Sequence, residues 1–245
     1  MACDKITIDY NDLEPINIGR SSPFRYKNLF LKFEELPDWK FFHNALDNRQ
    51  KFEFKPDKIY IEKKAVFIAK SLGVYTPEAK IINIKLTNGS KKFKTCALTR
   101  EWLDTSRYKF YQDFDEAKID LPMICRRIDF NYIIWCDFIL GNWNRNMTNL
   151  CLELRNDTLI PIDYDSAFTF DNMPIDKHGL RLLFQEFLFE PDKTGVLTIP
   201  NIIIRKVYEN IKKATNFSCL NSIDKRLSER LLNLDYVLKT FSFFD

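Results

Sequence analysis

The chain has 245 residues, of which 45% are hydrophobic and 29% charged, with a formal net charge of +3. That balance is ordinary for a soluble globular protein, and the length suits one two-lobed enzyme domain or two small domains. So small a positive excess argues against nucleic acid, which needs a concentrated basic face.

The densest basic cluster, Lys91-Lys92-Phe93-Lys94, follows Asn88-Gly89 and reads as a solvated hairpin tip. No uncharged apolar run reaches about 18 residues, so no membrane span is expected. The opening Met-Ala-Cys-Asp-Lys lacks the apolar core of a secretory leader. Six cysteines (Cys3, Cys96, Cys125, Cys136, Cys151, Cys219) are scattered without a Cys-x-x-Cys pair, which suits reduced thiols better than disulfides or zinc. A cytoplasmic protein is therefore expected, and delivery into a host cell is compatible with the same features. Only His43 and His178 are present, which argues against a Ser-His-Asp hydrolase or a multi-histidine metal site.

Along the chain, Lys5 to Tyr10 alternates apolar and polar residues as a half-buried strand does. Gly19-Arg-Ser-Ser-Pro23 signals a turn, and Asn28-Leu-Phe-Leu-Lys-Phe33 reads as a second strand. Residues 34–56 mix charge and aromatics with poor periodicity and read as a loop or lid. Ile59, Glu62, Ala65, Val66, Ala69 and Leu72 fall at helical spacing over Asp57 to Leu72, with Gly73 as the stop. Pro77 to Leu86 and Lys92 to Leu98 suggest a hairpin about Asn88-Gly89. The front is thus expected to run β-β-α-β-β.

Leu121 to Leu140 is strongly apolar and reads as one buried helix. Leu150 to Leu154 and Leu159 to Ile162 suggest two short strands joined at Asn156-Asp157. Residues 178–190, 200–215 and 222–241 have amphipathic helical patterns, with Pro191 and Pro200 as breakers. The expected fold class is α+β: a single bilobal, protein-kinase-like domain over 1–245. Its β-rich N-lobe would cover about 1–100 and its mainly helical C-lobe about 104–245.

The most informative stretch is Asp137 to Asn149, followed by Pro161-Ile-Asp-Tyr-Asp165. Asn144 stands five residues before Asn149, and Asp163 follows fourteen residues later. A kinase spaces its catalytic Asp and its two magnesium ligands in nearly this way. Position 144, however, is Asn where that pattern needs Asp. Asp163 sits beside a hydrophobic strand, where a carboxylate is costly unless paired or bound to metal.

Lys32, set opposite to its apolar neighbours, is a candidate to hold nucleotide phosphates, and Glu62 is a candidate to fix that lysine. Taken singly, Lys32 could be an edge-strand lysine and Glu62 a solvated side chain. Gly19-Arg20-Ser21-Ser22 could cover phosphates with backbone N–H groups and hydroxyls, although most such turns bind nothing. Arg145 could neutralise a nearby anion or face solvent, and an Asn-rich loop can serve turn formation alone. No G-x-G-x-x-G or Walker sequence occurs.

On these residues the chain resembles the HipA-like toxin kinases and the wider phosphatidylinositol-kinase-like superfamily, which includes a secreted Helicobacter kinase. Gly141-Asn-Trp-Asn-Arg-Asn-Met-Thr-Asn149 and Ile162-Asp163-Tyr164 stand where that family carries Gly-Asn-x-Asp-Arg-His-x-x-Asn and Ile/Tyr-Asp. The resemblance extends over about residues 15–170, and Arg100-Glu101-Trp102-Leu103-Asp104 looks like the family's hinge. It implies ATP- and Mg2+-dependent phosphorylation of Ser or Thr in a protein substrate. Lys32, Glu62, Gly19, Ser21, Ser22 and Glu101 would then lie at the nucleotide, Asn149 and Asp163 at the metal, and Asn144 and Arg145 in the catalytic loop. Ser21 and Ser22 would be candidate autophosphorylation sites, and an antitoxin or other regulatory partner is conceivable.

Two departures stand out. Asn146 replaces a histidine that is largely structural in related kinases. Asn144 replaces the general base, a group whose contribution is typically about 10²–10⁴-fold. The survival of Lys32, Glu62, Arg145, Asn149 and Asp163 favours an inactivated variant of an active kinase, because a long-abandoned site would lose several of these. A natural pseudokinase that binds ATP or a partner is the alternative. A neighbouring acid such as Asp165 taking over the base's role is a third.

Overall fold

The computed structural model describes residues 5–16, 23–35, 56–101, 103–104, 106–110, 124, 127–145, 147–170, 206, 209–213, 221–222 and 224–240. The chain is α+β, with a strand-rich first hundred residues and helices in the remainder. Its residues cluster into two units, 1–64 with 77–103, and 65–76 with 104–245.

The first unit is built on a six-stranded sheet in the order β1-β5-β6-β4-β3-β2. These strands are β1 (Lys5–Asp9), β2 (Glu14–Pro15), β3 (Phe24–Tyr26), β4 (Leu29–Phe33), β5 (Lys80–Asn88) and β6 (Lys91–Glu101). β1 runs parallel to β5, and the other pairs are antiparallel. Strand alternation sends Ile8, Leu31, Phe33, Ile82, Ile84, Leu86 and Ala97 into one apolar core with Leu13 and Phe24. Lys32, between Leu31 and Phe33, is thereby turned to the opposite face.

The sequence reading found β1, β4, β5 and β6 but missed β2 and β3. With two and three residues, these are too short to show a period-2 pattern. Lys27 makes the tight β3–β4 connection in the left-handed conformation, at φ 55°.

Helix α1 (Pro56–Ser71) follows, and its first turns belong to the first unit. It ends at Gly73, whose φ of 89° only glycine adopts easily, while Val74 N–H reaches back to the Ala69 carbonyl.

In the second unit, helix α2 (Ile128–Leu140) is almost wholly buried: Phe130, Asn131 and every residue from Ile133 to Leu140 are inside. It starts at Ile128, not near Leu121. Arg127 is extended at ψ 143°, and its guanidinium bridges Asp129 and Asp157, which pins the chain in a non-helical entry. Residues 121–123, 125 and 126 lie outside the described residues.

A three-stranded sheet runs in the order β7 (Tyr108–Phe110), β8 (Leu150–Glu153), β9 (Thr158–Pro161). Asp157, at φ 48°, turns the β8–β9 hairpin. Helix α3 (Lys225–Thr240) sends Arg230 Nε to the Phe138 carbonyl at 2.9 Å, placing a cation at the C-terminal end of α2. Burial lowers the Arg230 guanidinium to about 10. The helical patterns over 178–190 and most of 200–215 fall outside the described residues.

Gly141 closes α2 at φ 63° and ψ 36°, with Asn142 N–H on the Asp137 carbonyl at 2.8 Å. A Cβ there would meet Phe170 Cδ1 at 2.7 Å. Gly141→Ala is therefore expected to cost at least about 1–2 kcal/mol from the left-handed backbone alone. The lowered midpoint should show in urea unfolding, and an unchanged midpoint would contradict this account of the cap.

Candidate functional site

The chemistry-bearing residues form two clusters, one in each unit. In the first, alternation along β4 turns Lys32 toward the face that the first turns of α1 cover. Glu62 lies on that helix, and Lys32 Nζ donates to Glu62 Oε2 at 2.9 Å across thirty residues of sequence. Both side chains are buried, at 7% and 1% exposure. Glu62 Oε1 accepts from Arg100 Nη2 on β6, so one carboxylate holds two cations. A buried ion of either sign is costly without its partner, so the three side chains hold one another in place.

The second cluster is organised by Asp137, in the last turn of α2. Its two oxygens accept Asn142 Nδ2 at 2.7 Å, Arg145 Nε at 2.7 Å and Arg145 Nη2 at 3.1 Å. Arg145 is fully buried, so it does not face solvent, and the nearby anion that it neutralises is Asp137. Its Nη1 donates to the carbonyls of Asn149, at 3.0 Å, and Ile162, while the guanidinium lies over the Tyr164 ring at 4.7 Å. Burial works against this charge, but Asp137 outweighs it, with further support from Tyr164 and Asp163. The guanidinium is consequently held above its ordinary pKa.

Arg145 thus clamps the backbone on either side of the candidate metal ligands. Ile162 N–H donates to the Asn149 carbonyl at 2.9 Å, extending the β8–β9 ladder by one rung. Asn149 is thereby paired with Ile162, the residue before Asp163. Asn149 Nδ2 donates to the Asn144 carbonyl at 3.2 Å, which leaves the amide oxygen as its remaining acceptor. Asp163 has φ 62°, a left-handed conformation unusual for a non-glycine residue, and its Oδ1 accepts Asp165 N–H at 3.4 Å. Such strain persists only where the surroundings fix it, and it gathers at functional sites. Phe168 N–H on the Leu140 carbonyl, at 2.7 Å, and Thr169 Oγ1 on the Gly141 carbonyl, at 3.0 Å, anchor the segment beyond Asp163.

Asn144 is exposed, as is Trp143 beside it. Glu101, the last residue of β6, is exposed and pairs with Leu29. Gly19, Ser21, Ser22 and Asn146 lie outside the described residues.

A kinase is among the solved structures similar to this chain. The Helicobacter pylori proinflammatory kinase CtkA has a crystal structure that matches at a TM-score of 0.47 and 15% sequence identity, over 96% of both chains. No protein-family model matches the chain, and no curated protein does.

Two residues of these clusters escaped the sequence reading. Arg100 was noted only within a hinge-like string, because its link to Glu62 spans 38 residues and depends on strand register. Asp137 carried a usable signal: a lone acid in a run as apolar as Ile133–Leu140 must find a cation, and Arg145 lies eight residues on. Among the described residues, no group of three or more His, Cys, Asp or Glu side chains could hold a metal by itself. No helix there is long and apolar enough to cross a membrane.

Proposed function

We propose that this chain binds ATP with magnesium as a Ser/Thr protein kinase of HipA-like type, impaired in phosphoryl transfer by Asn144. The observation that carries the reading is the buried Lys32–Glu62 pair. An ammonium held by a carboxylate on one side is positioned to hold phosphate oxygens on the other. Asn149 and Asp163 supply an amide oxygen and a carboxylate, a donor set that suits a hard divalent cation retaining most of its water. Magnesium, when bound, would neutralise charge on the β- and γ-phosphate oxygens.

Asn144 can orient a Ser or Thr hydroxyl through a hydrogen bond, but its amide cannot take the proton. That same residue favours the second reading, a natural pseudokinase serving as an ATP-binding or protein-interaction module.

Thermal melting with and without Mg-ATP tests nucleotide binding. Ligand at a hundredfold excess over Kd should stabilise the chain by about 2.7 kcal/mol. Asp163→Ala should remove the magnesium-dependent part of that gain. A melting temperature indifferent to every Mg-nucleotide would leave a pure interaction domain.

A further inference from the structure

A groove of about 490 Å³, within the size range of ligand sites, is lined only by residues of the first unit. Its floor is the face of β1, β5 and β6 that lies opposite the apolar core. Ile8, Ile82, Ile84, Leu86 and Ala97 fill that core, so alternation turns Lys5, Thr7, Asn83, Lys85, Lys94 and Cys96 the other way. Register sorts these side chains into two rows. Thr7, Lys85 and Lys94 form one, since Lys85 pairs with both of the others. Lys5, Asn83 and Cys96 form the next. Glu34, whose N–H donates to the Cys96 carbonyl at 2.9 Å, continues that row at the end far from Lys5.

Lys85 and Lys94 stand directly opposite each other, an arrangement that destabilises a sheet when the charges are alike. Among the described residues, no ion pair takes up either of them, or Lys5. A single exposed lysine needs no partner, because water serves it. Three on one groove, two of them in mutual repulsion, call for an anion. Neutral donors accompany both rows. Asn83 Oδ1 accepts the Cys96 thiol at 3.3 Å, which leaves the amide N–H groups to donate beside Lys5. The Thr7 hydroxyl does the same beside Lys85.

An anion that serves both rows must span two residues along a strand, about 7 Å. An extended peptide sets alternate side chains at that same spacing on one face. We propose that this groove takes an extended segment of a partner protein with acidic residues at alternate positions. One carboxylate meets the Lys85–Lys94 pair and the next meets Lys5 and Asn83. Glu34 repels a carboxylate at its own end, so the segment is held over β1 and β5. Binding needs neither nucleotide nor magnesium.

Fluorescence anisotropy of a labelled nine-residue peptide, with glutamate at alternate positions among valine and threonine, is the test. A control peptide has the same composition with its glutamates contiguous. The alternating peptide should bind about fivefold or more tightly than the control, and weaken as salt rises. Lys5→Gln and Lys85→Gln should each weaken it about two- to fivefold, the size of one exposed ion pair. Lys5→Gln, Lys85→Gln and Lys94→Gln combined should weaken it about tenfold or more, while Glu34→Gln should leave it unchanged or tighter. Because the three lysines are exposed and Lys94→Gln relieves a repulsion, the urea midpoint should hold or rise in that single variant. Equal affinity for the two peptides would overturn the proposal, as would binding indifferent to the triple change. Inorganic pyrophosphate displacing the label at lower concentration than unlabelled peptide would also overturn it, in favour of a small-anion site.

Discussion

Asn144→Asp should raise phosphate transfer from ATP about 10²–10⁴-fold over the present chain, the span of a general base's contribution. The change is nearly isosteric, and nothing around it must be rebuilt. Asn144 is exposed, and its carbonyl already accepts Asn149 Nδ2, so the backbone of the loop is fixed before the side chain is exchanged. The new carboxylate would add both the proton acceptor and the negative charge that orients a hydroxyl nucleophile. Labelled ATP with casein as a generic acceptor, and with the chain itself, gives the readout. The gain should vanish in Asn144→Asp combined with Asp163→Ala, which separates catalysis from contamination. No gain in the single variant would leave the pseudokinase or interaction module as the better description.

Removing Arg145 should be the most destabilising single change in the second unit, costing about 3–5 kcal/mol as the rupture of a buried ion pair. In Arg145→Met, Asp137 would keep only the Asn142 amide, the Ile162 carbonyl would lose its guanidinium donor, and the Asn149 carbonyl would keep only the Ile162 N–H. Denaturant unfolding should show the drop. Adding Asp137→Asn to Arg145→Met should restore part of it, because the stranded negative charge is then gone. Simple additivity of the two changes would mean that the pair is not what holds this loop. Because the clamp sits behind Asn149 and Asp163, the single variant should also lose magnesium-dependent nucleotide binding while it remains folded.

Much of this was legible in the sequence wherever a repeating pattern met a punctuating residue. β4 declared both its core side and its Lys32 side by alternation, α1 declared its end at Gly73, and the β5–β6 hairpin declared itself at Asn88-Gly89. What stayed hidden was short or long-range. β2, β3 and β7, of two or three residues each, exist because neighbours supply their hydrogen bonds, and no period can form over that length.

The true start of α2 depends on Arg127 being tied to Asp157, thirty residues ahead, which an apolar run cannot reveal. In the candidate site, the sequence points to the Lys32–Glu62 pair that the structure shows, but not to Arg100 and Asp137, the buried charges that pair with Glu62 and Arg145. Arg145 carries two open roles in the sequence, neutralising a nearby anion or facing solvent; the structure gives it the first, and the anion is the buried Asp137. Register alone brings Arg100 to Glu62.

The central claim is the proposal that the buried Lys32–Glu62 pair holds the phosphates of a nucleotide. Titrating Mn2+-ATP and following free Mn2+ by electron paramagnetic resonance tests it most directly. The expected result is one nucleotide per chain, with affinity falling about tenfold or more in Lys32→Met, which has lost a charged contact. Full-strength binding of Mn2+-ATP by that variant would contradict it.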